Sequence, residues 1–312
     1  MSTQGLFQLY TTQFTTVLEL KLQQMGSKLR GKVREGFHVG KQASPVNQIA
    51  AVQLKAPAGR FAPIQRTDTD FTRRWVFPQD GELAQLIDSF DELKTIVDPK
   101  SQYSDNAAQA VGRAWDDNII ANAFATSQTG QDAASLVAES FNAGTTVGNV
   151  GFAVVNTFGA GSTSVGLTVA KMIEAKRVFR HYHVDIDADP LTLVIGSTQE
   201  ADLLKQVQVV STEFNDRPVL VDGKITRFLG FDIVVSERLA VSGSIRQCIA
   251  FAKSGLYLGV WRDMTNIASQ RNDLSGHPYQ IYTMTSFGST RTQPGKVLQV
   301  QCQDATGADI TP

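Results

Sequence analysis

Residues 104–126 read SDNAAQAVGRAWDDNIIANAFAT. Ala108, Val111, Trp115, Ile119 and Ala123 recur at helical spacing, so the segment is predicted to form a helix with one apolar face. Ser104 is placed to cap its N-terminus, and Asp105 lies in the first turn, where a carboxylate favours the helix dipole. At 1.5 Å per residue such a helix is about 34 Å long, enough to brace a thin domain. Asp116 and Asp117 fall in its middle. On a helix they read as a salt-bridged or solvated pair rather than as an acid and a base.

The chain upstream reads differently. ELAQLIDSFDELKTIVDP (82–99) is acidic and is predicted to be a second helix, stopped by Pro99. Residues 46–78 alternate apolar and polar side chains and are punctuated by Pro57, Gly59 and Pro63. They read as a long two-stranded excursion. An isolated hairpin is marginal in water, so this one is expected to lie on a partner. Residues 5–25 carry Leu6, Leu9, Phe14, Val17, Leu18 and Leu22 at helical spacing, and a short basic stretch bounded by glycines follows at 26–36.

Downstream, residues 140–170 contain no charged side chain and six glycines, the composition of flat β structure and loops. A helix is expected over 166–182 and a buried strand at LTLVIG (191–196). Ser197 and Glu200 form a capping box for a helix running to about Val207. Asp222-Gly223 marks a hairpin. Strands are expected at 231–235, 247–252, 256–260, 277–287 and 296–302. The mixed order predicts an α+β protein with a compact middle and extended ends.

Composition narrows the function. Of 312 residues, 42% are hydrophobic and 19% charged, which allows a sizeable core and excludes wholesale disorder. Two cysteines, Cys248 and Cys302, exclude a disulfide framework and a cysteine-rich zinc site, and fit a reducing compartment. Neither a secretory signal nor an apolar run long enough to span a membrane is present. The net charge of −1 is unevenly placed. Residues 1–75 hold eleven basic and four acidic side chains, a balance of +7, which leaves −8 on the rest. A basic first quarter on an acidic body describes an arm that docks on another surface, either nucleic acid or an acidic copy of the same chain.

Catalytic motifs fare poorly. FGAGSTSVGLT (158–168) has the glycine spacing of a phosphate-binding loop, but Leu167 stands where the lysine belongs, and Ser164 replaces the third glycine of a dinucleotide motif. A flexible glycine-rich loop is the better reading. His181, His183, Asp185, Asp187 and Asp189 recur at every second position. In a strand all five would face one way, as metal ligands do; the alternative is a solvated helix-to-strand connection. No nucleophile elbow occurs, four histidines leave few general bases, and Cys248 sits in an apolar strand. No cofactor is expected. Lys28, Arg30, Lys32, Arg34, Arg60, Arg66, Arg73 and Arg74 lie near several aromatic residues and suit phosphates. The acidic stretch with Asp88, Asp91 and Glu92 in a neighbouring copy is the favoured target.

Three segments are then informative together: LQQMGSKLRGKV (22–33), PIQRTDTDFTRRWVFPQDGELAQLIDSFDELKTIVDP (63–99) and NAAQAVGRAWDDNIIANAFA (106–125). In this order, with SERLA after LGFDIVV and long C-terminal strands, they resemble the major capsid proteins of tailed bacteriophages, over nearly the whole chain. The resemblance implies the Hong Kong 97-type fold. It implies an N-terminal arm over 1–35, an extended loop over 36–85, a peripheral domain with its spine helix over 86–130 and an axial domain over 131–258. Strands from 259 to 312 would return to the peripheral and axial domains. It further implies no enzyme activity, and assembly as hexamers and pentamers into an icosahedral head around double-stranded DNA, in the bacterial host cytoplasm. The expected partners are further copies, a portal, a separate scaffolding protein, since no self-cleaved scaffolding segment is evident, and a decoration protein in some shells. No crosslinking Lys–Asn pair can be placed. The DNA would be enclosed without sequence-specific contact, and no membrane is involved. Reversing Arg66, Arg73 and Arg74 together is expected to block assembly. Two readings stay open beside this one: a protein-cargo compartment shell of the same fold, and a metal-dependent enzyme using His181–Asp189.

Overall fold

The computed structural model describes residues 22–304 apart from 57–58, 62, 65, 88–99, 133, 146–150, 162, 207–219 and 222–223. Four strands come first: β1 (Arg34–Phe37), β2 (Ala43–Ile49), β3 (Phe71–Val76) and β4 (Gln79–Ile87). Helix α1 (Lys100–Phe124) is followed by short strands β5 (Ser127–Gly130), β6 (Val137–Glu139) and β7 (Phe152–Val154). Then come α2 (Val169–His181), β8 (Leu191–Ile195) and α3 (Ser197–Lys205). The remainder is β structure: β9 (Leu220–Val221), β10 (Lys224–Ile225), β11 (Arg227–Phe228), β12 (Phe231–Val235), β13 (Val241–Ser242), β14 (Ile245–Ala252), β15 (Leu256–Gln270), β16 (Tyr279–Arg291) and β17 (Val297–Gln303).

This is the α+β class expected from the sequence. Three sheets organise it. The first has the order β1-β15-β16-β4, with β1 parallel to β15 and the other pairs antiparallel. Helix α1 packs on it: Trp115 meets Phe287 edge-on at 6.4 Å, and the Ser289 hydroxyl donates to the Asn118 carbonyl at 2.9 Å. The second has the order β11-β12-β8-β14-β17-β7. Its strand β8, LTLVI, is buried at every position, as a strand covered on both faces must be. The third, β2-β3-β5-β6, joins the excursion to the body.

A single core links the pieces. It runs from Leu29 and Val33 through Val111, Trp115 and Ile119 to Phe179, Phe231 and Phe251. Each fully buried phenylalanine contributes about 1.5–3 kcal/mol relative to exposure. At the far end of α1 the core is closed by a buried cation. Arg291 donates from Nη1 to the Ala123 and Ala125 carbonyls at 3.0 and 2.9 Å, and from Nη2 to the Ser127 hydroxyl and the Glu139 carbonyl. It thereby satisfies carbonyls that a helix end leaves without partners. Burial pulls its pKa down to about 10, so the guanidinium stays charged at neutral pH.

Several expectations need correction. Residues 79–87 are an edge strand, not the start of a helix: Leu83, Gln85 and Ile87 alternate with the exposed Glu82, Ala84 and Leu86, and the strand pairs with β16 along its length. The rest of that expected helix lies outside the described residues. Helix α1 begins four residues before Ser104, so Ser104 is inside it and does not cap it. Its buried stripe starts at Ala107 rather than Ala108. Helix α2 starts at Val169, capped by the Thr168 hydroxyl, which accepts from the Lys171 amide. The cap of α3 is shifted by one residue: Gly196 is the N-cap, and the Gln199 side chain accepts from its amide. The expected helix over 5–25 is not helical at 22–25, and its earlier part lies outside the described residues. The hairpin about 222–223 is borne out by the pairing of β9 with β10, and β15 and β16 run longer than expected.

Candidate subunit interface

The basic arm divides into side chains used within the chain and side chains left free. The anchor is Asp116, wholly buried on α1. Its carboxylate accepts from Gln24 Nε2, the Ser27 hydroxyl and the amides of Lys28 and Leu29, the last two at 2.9 and 3.1 Å. One turn earlier, Gly112 lets the arm cross at contact distance. A Cβ there would lie 2.6 Å from the Gly26 carbonyl carbon, and Gly26 itself has φ +68°. Residues 24–29 are therefore strapped to the helix. Asp117 pairs with Arg238, so neither member of the acidic pair is free to act as an acid or base.

The committed basic residues follow from this strap. Lys28 Nζ donates to the Val235 carbonyl at 2.8 Å, and Lys32 pairs with Asp232 at 3.0 Å. Arg30 forks onto Asp263 at 3.1 and 3.0 Å and stacks on Trp115 at 4.2 Å. Its donated hydrogen bonds hold the Asp263 carboxyl below the usual carboxylate range. Arg34 is exposed on β1. Arg74, expected to be free for a partner, is instead buried and paired with Glu139, because the β3–β5–β6 pairing folds that carboxylate over it. Arg73 is exposed on β3. Arg66 is nearly fully exposed and reaches only Asp68, at 4.0 Å. Asp88, Asp91 and Glu92 lie outside the described residues, but Asp80 and Glu82 are exposed on β4.

The excursion is the second element of the surface. Strands β2 and β3 pair from Ala43↔Val76 to Ile49↔Phe71, and the loop beyond them projects. Leu54, Phe61 and Ile64 are each more than nine-tenths exposed, and Val39, Ile49, Val52 and Phe71 are exposed as well. So many large apolar side chains exposed on one excursion mark a surface for a partner.

The other candidate sites dissolve. His181 ends α2, His183 sits at φ +55° in the following turn, and 185–189 continue as turns. The alternation therefore does not put the five side chains on one face. Asp185 accepts from the amides of Asp187 and Ala188, and Asp189 holds the Ser254 amide and hydroxyl. Among the described residues no group of three or more His, Cys, Asp or Glu side chains could hold a metal ion. The glycine-rich loop is closed to phosphate by a carboxylate: Asp202 accepts from the Leu167 amide at 3.3 Å, and a Cβ on Gly166 would lie 2.0 Å from it. Lys171, wholly buried, donates to the carbonyls of Val165, Gly166 and Gln301 at 2.9 Å each and ties that loop to β17. Cys248 and Cys302 are buried and unbridged. Among the described residues no helix is long and apolar enough to cross a membrane.

Two functional features escaped the sequence reading. Asp116 carried a signal that could have found it, since Gly112, Asp116, Ile119 and Ala123 share one helix face and a carboxylate there must be buried. The Arg291 clamp joins residues more than 150 positions apart and carries no local signal.

One well-packed body, an arm fastened to it and an apolar hairpin projecting from it make the chain a structural subunit, built to be covered by others. The family model for phage capsid protein matches residues 7–304, and the chain belongs to that family. No curated protein sequence matches. Among solved structures, the capsid of cyanophage Pam1 is 14% identical, with TM-score 0.72 and 98% of each chain covered. That of cyanophage P-SCSP1u is also 14% identical, with TM-score 0.69 and 96% of this chain and 94% of that one covered. A Mycobacterium phage Che8 chain matches at 14% identity and TM-score 0.66, over 94% and 97%. The fold is that of the Hong Kong 97-type capsids, and the chain is a phage capsid protein, a structural component of the virion and not an enzyme.

Proposed function

We propose that the chain assembles as hexamers and pentamers into the icosahedral head that encloses the double-stranded DNA of a tailed bacteriophage. The observation that carries this reading is the hairpin over 43–76, whose tip residues Leu54, Phe61 and Ile64 stand almost entirely in solvent. Each contact with a neighbour can be weak, because closed symmetry repeats it many times. Complementary charge selects the partner: the exposed Arg34, Arg60, Arg66 and Arg73 face acidic surfaces on other copies, among them the stretch with Asp88, Asp91 and Glu92. In this reading 1–35 is the arm, 36–85 the extended loop, 86–130 the peripheral domain and 131–258 the axial domain, with 259–312 returning across both. A portal, a separate scaffolding protein and a decoration protein would act in trans, in the cytoplasm of the bacterial host. The DNA is held by enclosure, not by base contacts. The test is negative-stain electron microscopy of the chain expressed with its neighbouring phage genes. Closed particles of uniform size are expected, and DNA inside them separates a head from a protein-cargo shell. Persistent monomers would overturn the reading.

A further inference from the structure

Where α1 ends against the junction of β3 and β4, a cleft of about 120 Å³ opens. Its walls are Trp75, Phe77 and Gln79 around that junction, Asn118 of α1, Thr126 just past its end, and Gly288 of β16. No lining side chain is ionisable, so neither a phosphate nor a divalent cation finds a counter-charge there. The walls are fixed. Trp75 Nε1 is spent on the Gly130 carbonyl at 3.3 Å, which leaves ring carbons to the cleft. A Cβ on Gly288 would lie 2.2 Å from the Phe77 carbonyl oxygen, so β16 and the junction meet directly.

One group in the cleft is unspent. Asn118 is 9% exposed. Its Nδ2 donates to Gln79 Oε1 at 2.6 Å, but its Oδ1 is buried with no hydrogen-bond partner among the described residues. A buried amide oxygen without a donor is costly, so a donor from outside the chain is called for. A single water needs only about 10–15 Å³ of such space, and the cleft is several times larger. An aromatic wall with neutral amides and hydroxyls suits a ligand that is uncharged, rich in hydroxyls and apolar on one face. A pyranose sugar has that chemistry, with C–H groups on the ring face and hydroxyls at its edge.

We propose that this cleft binds the edge of one pyranose ring, free or at the end of a neutral glycan. The ring lies with its C–H face on Trp75, and one hydroxyl donates to Asn118 Oδ1. Gln79, exposed on β4, is the movable cover: it turns outward to admit the sugar, and a second sugar oxygen accepts from the Nδ2 that Gln79 releases. The rest of the ring stays in solvent, so each site is weak. A shell would present it in many copies and gain by avidity; only that gain rests on the shell reading above.

The test is saturation-transfer NMR on the purified full chain with glucose, galactose, mannose and N-acetylglucosamine, and with their methyl glycosides. At least one is expected to bind with a Kd of about 1–10 mM. Binding of the methyl glycosides assigns the end of a glycan, and binding of the free sugars alone assigns a free hexose. Asn118→Leu should weaken binding about tenfold or more. Thr126→Trp, which fills the cleft from an exposed rim position, should abolish it while thermal unfolding stays unchanged, and Thr126→Ser should keep it. No transfer from any sugar at about ten times that concentration would overturn the proposal and leave the cleft to ordered water, as would equal transfer in the Thr126→Trp chain. Neither result bears on the shell reading, which particle formation tests.

Discussion

The two ends of the Arg74 neighbourhood behave as different materials. Toward the body, Arg291 and Asp116 are buried and bonded on several sides, and Arg74 is buried against Glu139. Toward the tip, Leu54, Phe61 and Ile64 stand almost entirely in solvent. Apolar side chains are present in both regions, so composition does not separate them. Burial does: the side chains of the body close on one core, whereas those at the hairpin tip pack against nothing of their own chain that covers them. The body is folded for itself and the hairpin for a neighbour.

The largest test of that contrast is Arg291→Met. It strips charged donors from the end of α1 and is expected to cost about 3–5 kcal/mol, the range for removing one partner of a buried charged network, read from denaturant unfolding. Phe61→Ala should leave unfolding of the body within about 0.5 kcal/mol and still suppress particles. A large loss of monomer stability would show that the tip belongs to the body after all. Next is Asp116→Asn, which replaces a carboxylate accepting four hydrogen bonds. A loss of about 1–3 kcal/mol is expected, with faster amide exchange at 27–30 and little change at 191–195.

A smaller effect on stability, with a large one on assembly, separates the arginines. Arg66→Glu with Arg73→Glu should change unfolding by less than about 0.5 kcal/mol, yet cut particle yield in sedimentation. Arg74 no longer belongs in that set, because reversing it would place two carboxylates together under β3. The least effect is acidic. Arg30 lowers the Asp263 pKa, so the bridge stabilises the arm above the ordinary aspartate range near pH 4 and is lost as pH falls through the lower folded value. Protection of the amides at residues 29–33, taken relative to their intrinsic exchange rate at each pH, should therefore hold level from pH 7 to about 5 and fall only below about 4.

Much of the fold was legible because single faces are buried. The α1 stripe of Val111, Trp115, Ile119 and Ala123 and the apolar run LTLVI name their own environments. The stretch from Glu82 was ambiguous: ELAQLID fits helical and alternating patterns alike, and only the long-range ladder with β16 decides for a strand. His181–Asp189 misled for the opposite reason. Its period of two has meaning only in extended backbone, and the turn at His183 and the bonds of Asp185 and Asp189 break it. The free arginines could be told from the committed ones only in space, since Glu139 is 65 residues from Arg74.

The most direct measurement is hydrogen–deuterium exchange of unassembled chain against purified particles, compared segment by segment. Amides over 50–70 are expected to exchange fast in the unassembled chain and slow strongly in particles, while those over 191–195 and 297–303 are slow in both. Equal, fast exchange over 50–70 in both states would contradict it, because the hairpin would then remain uncovered in the shell.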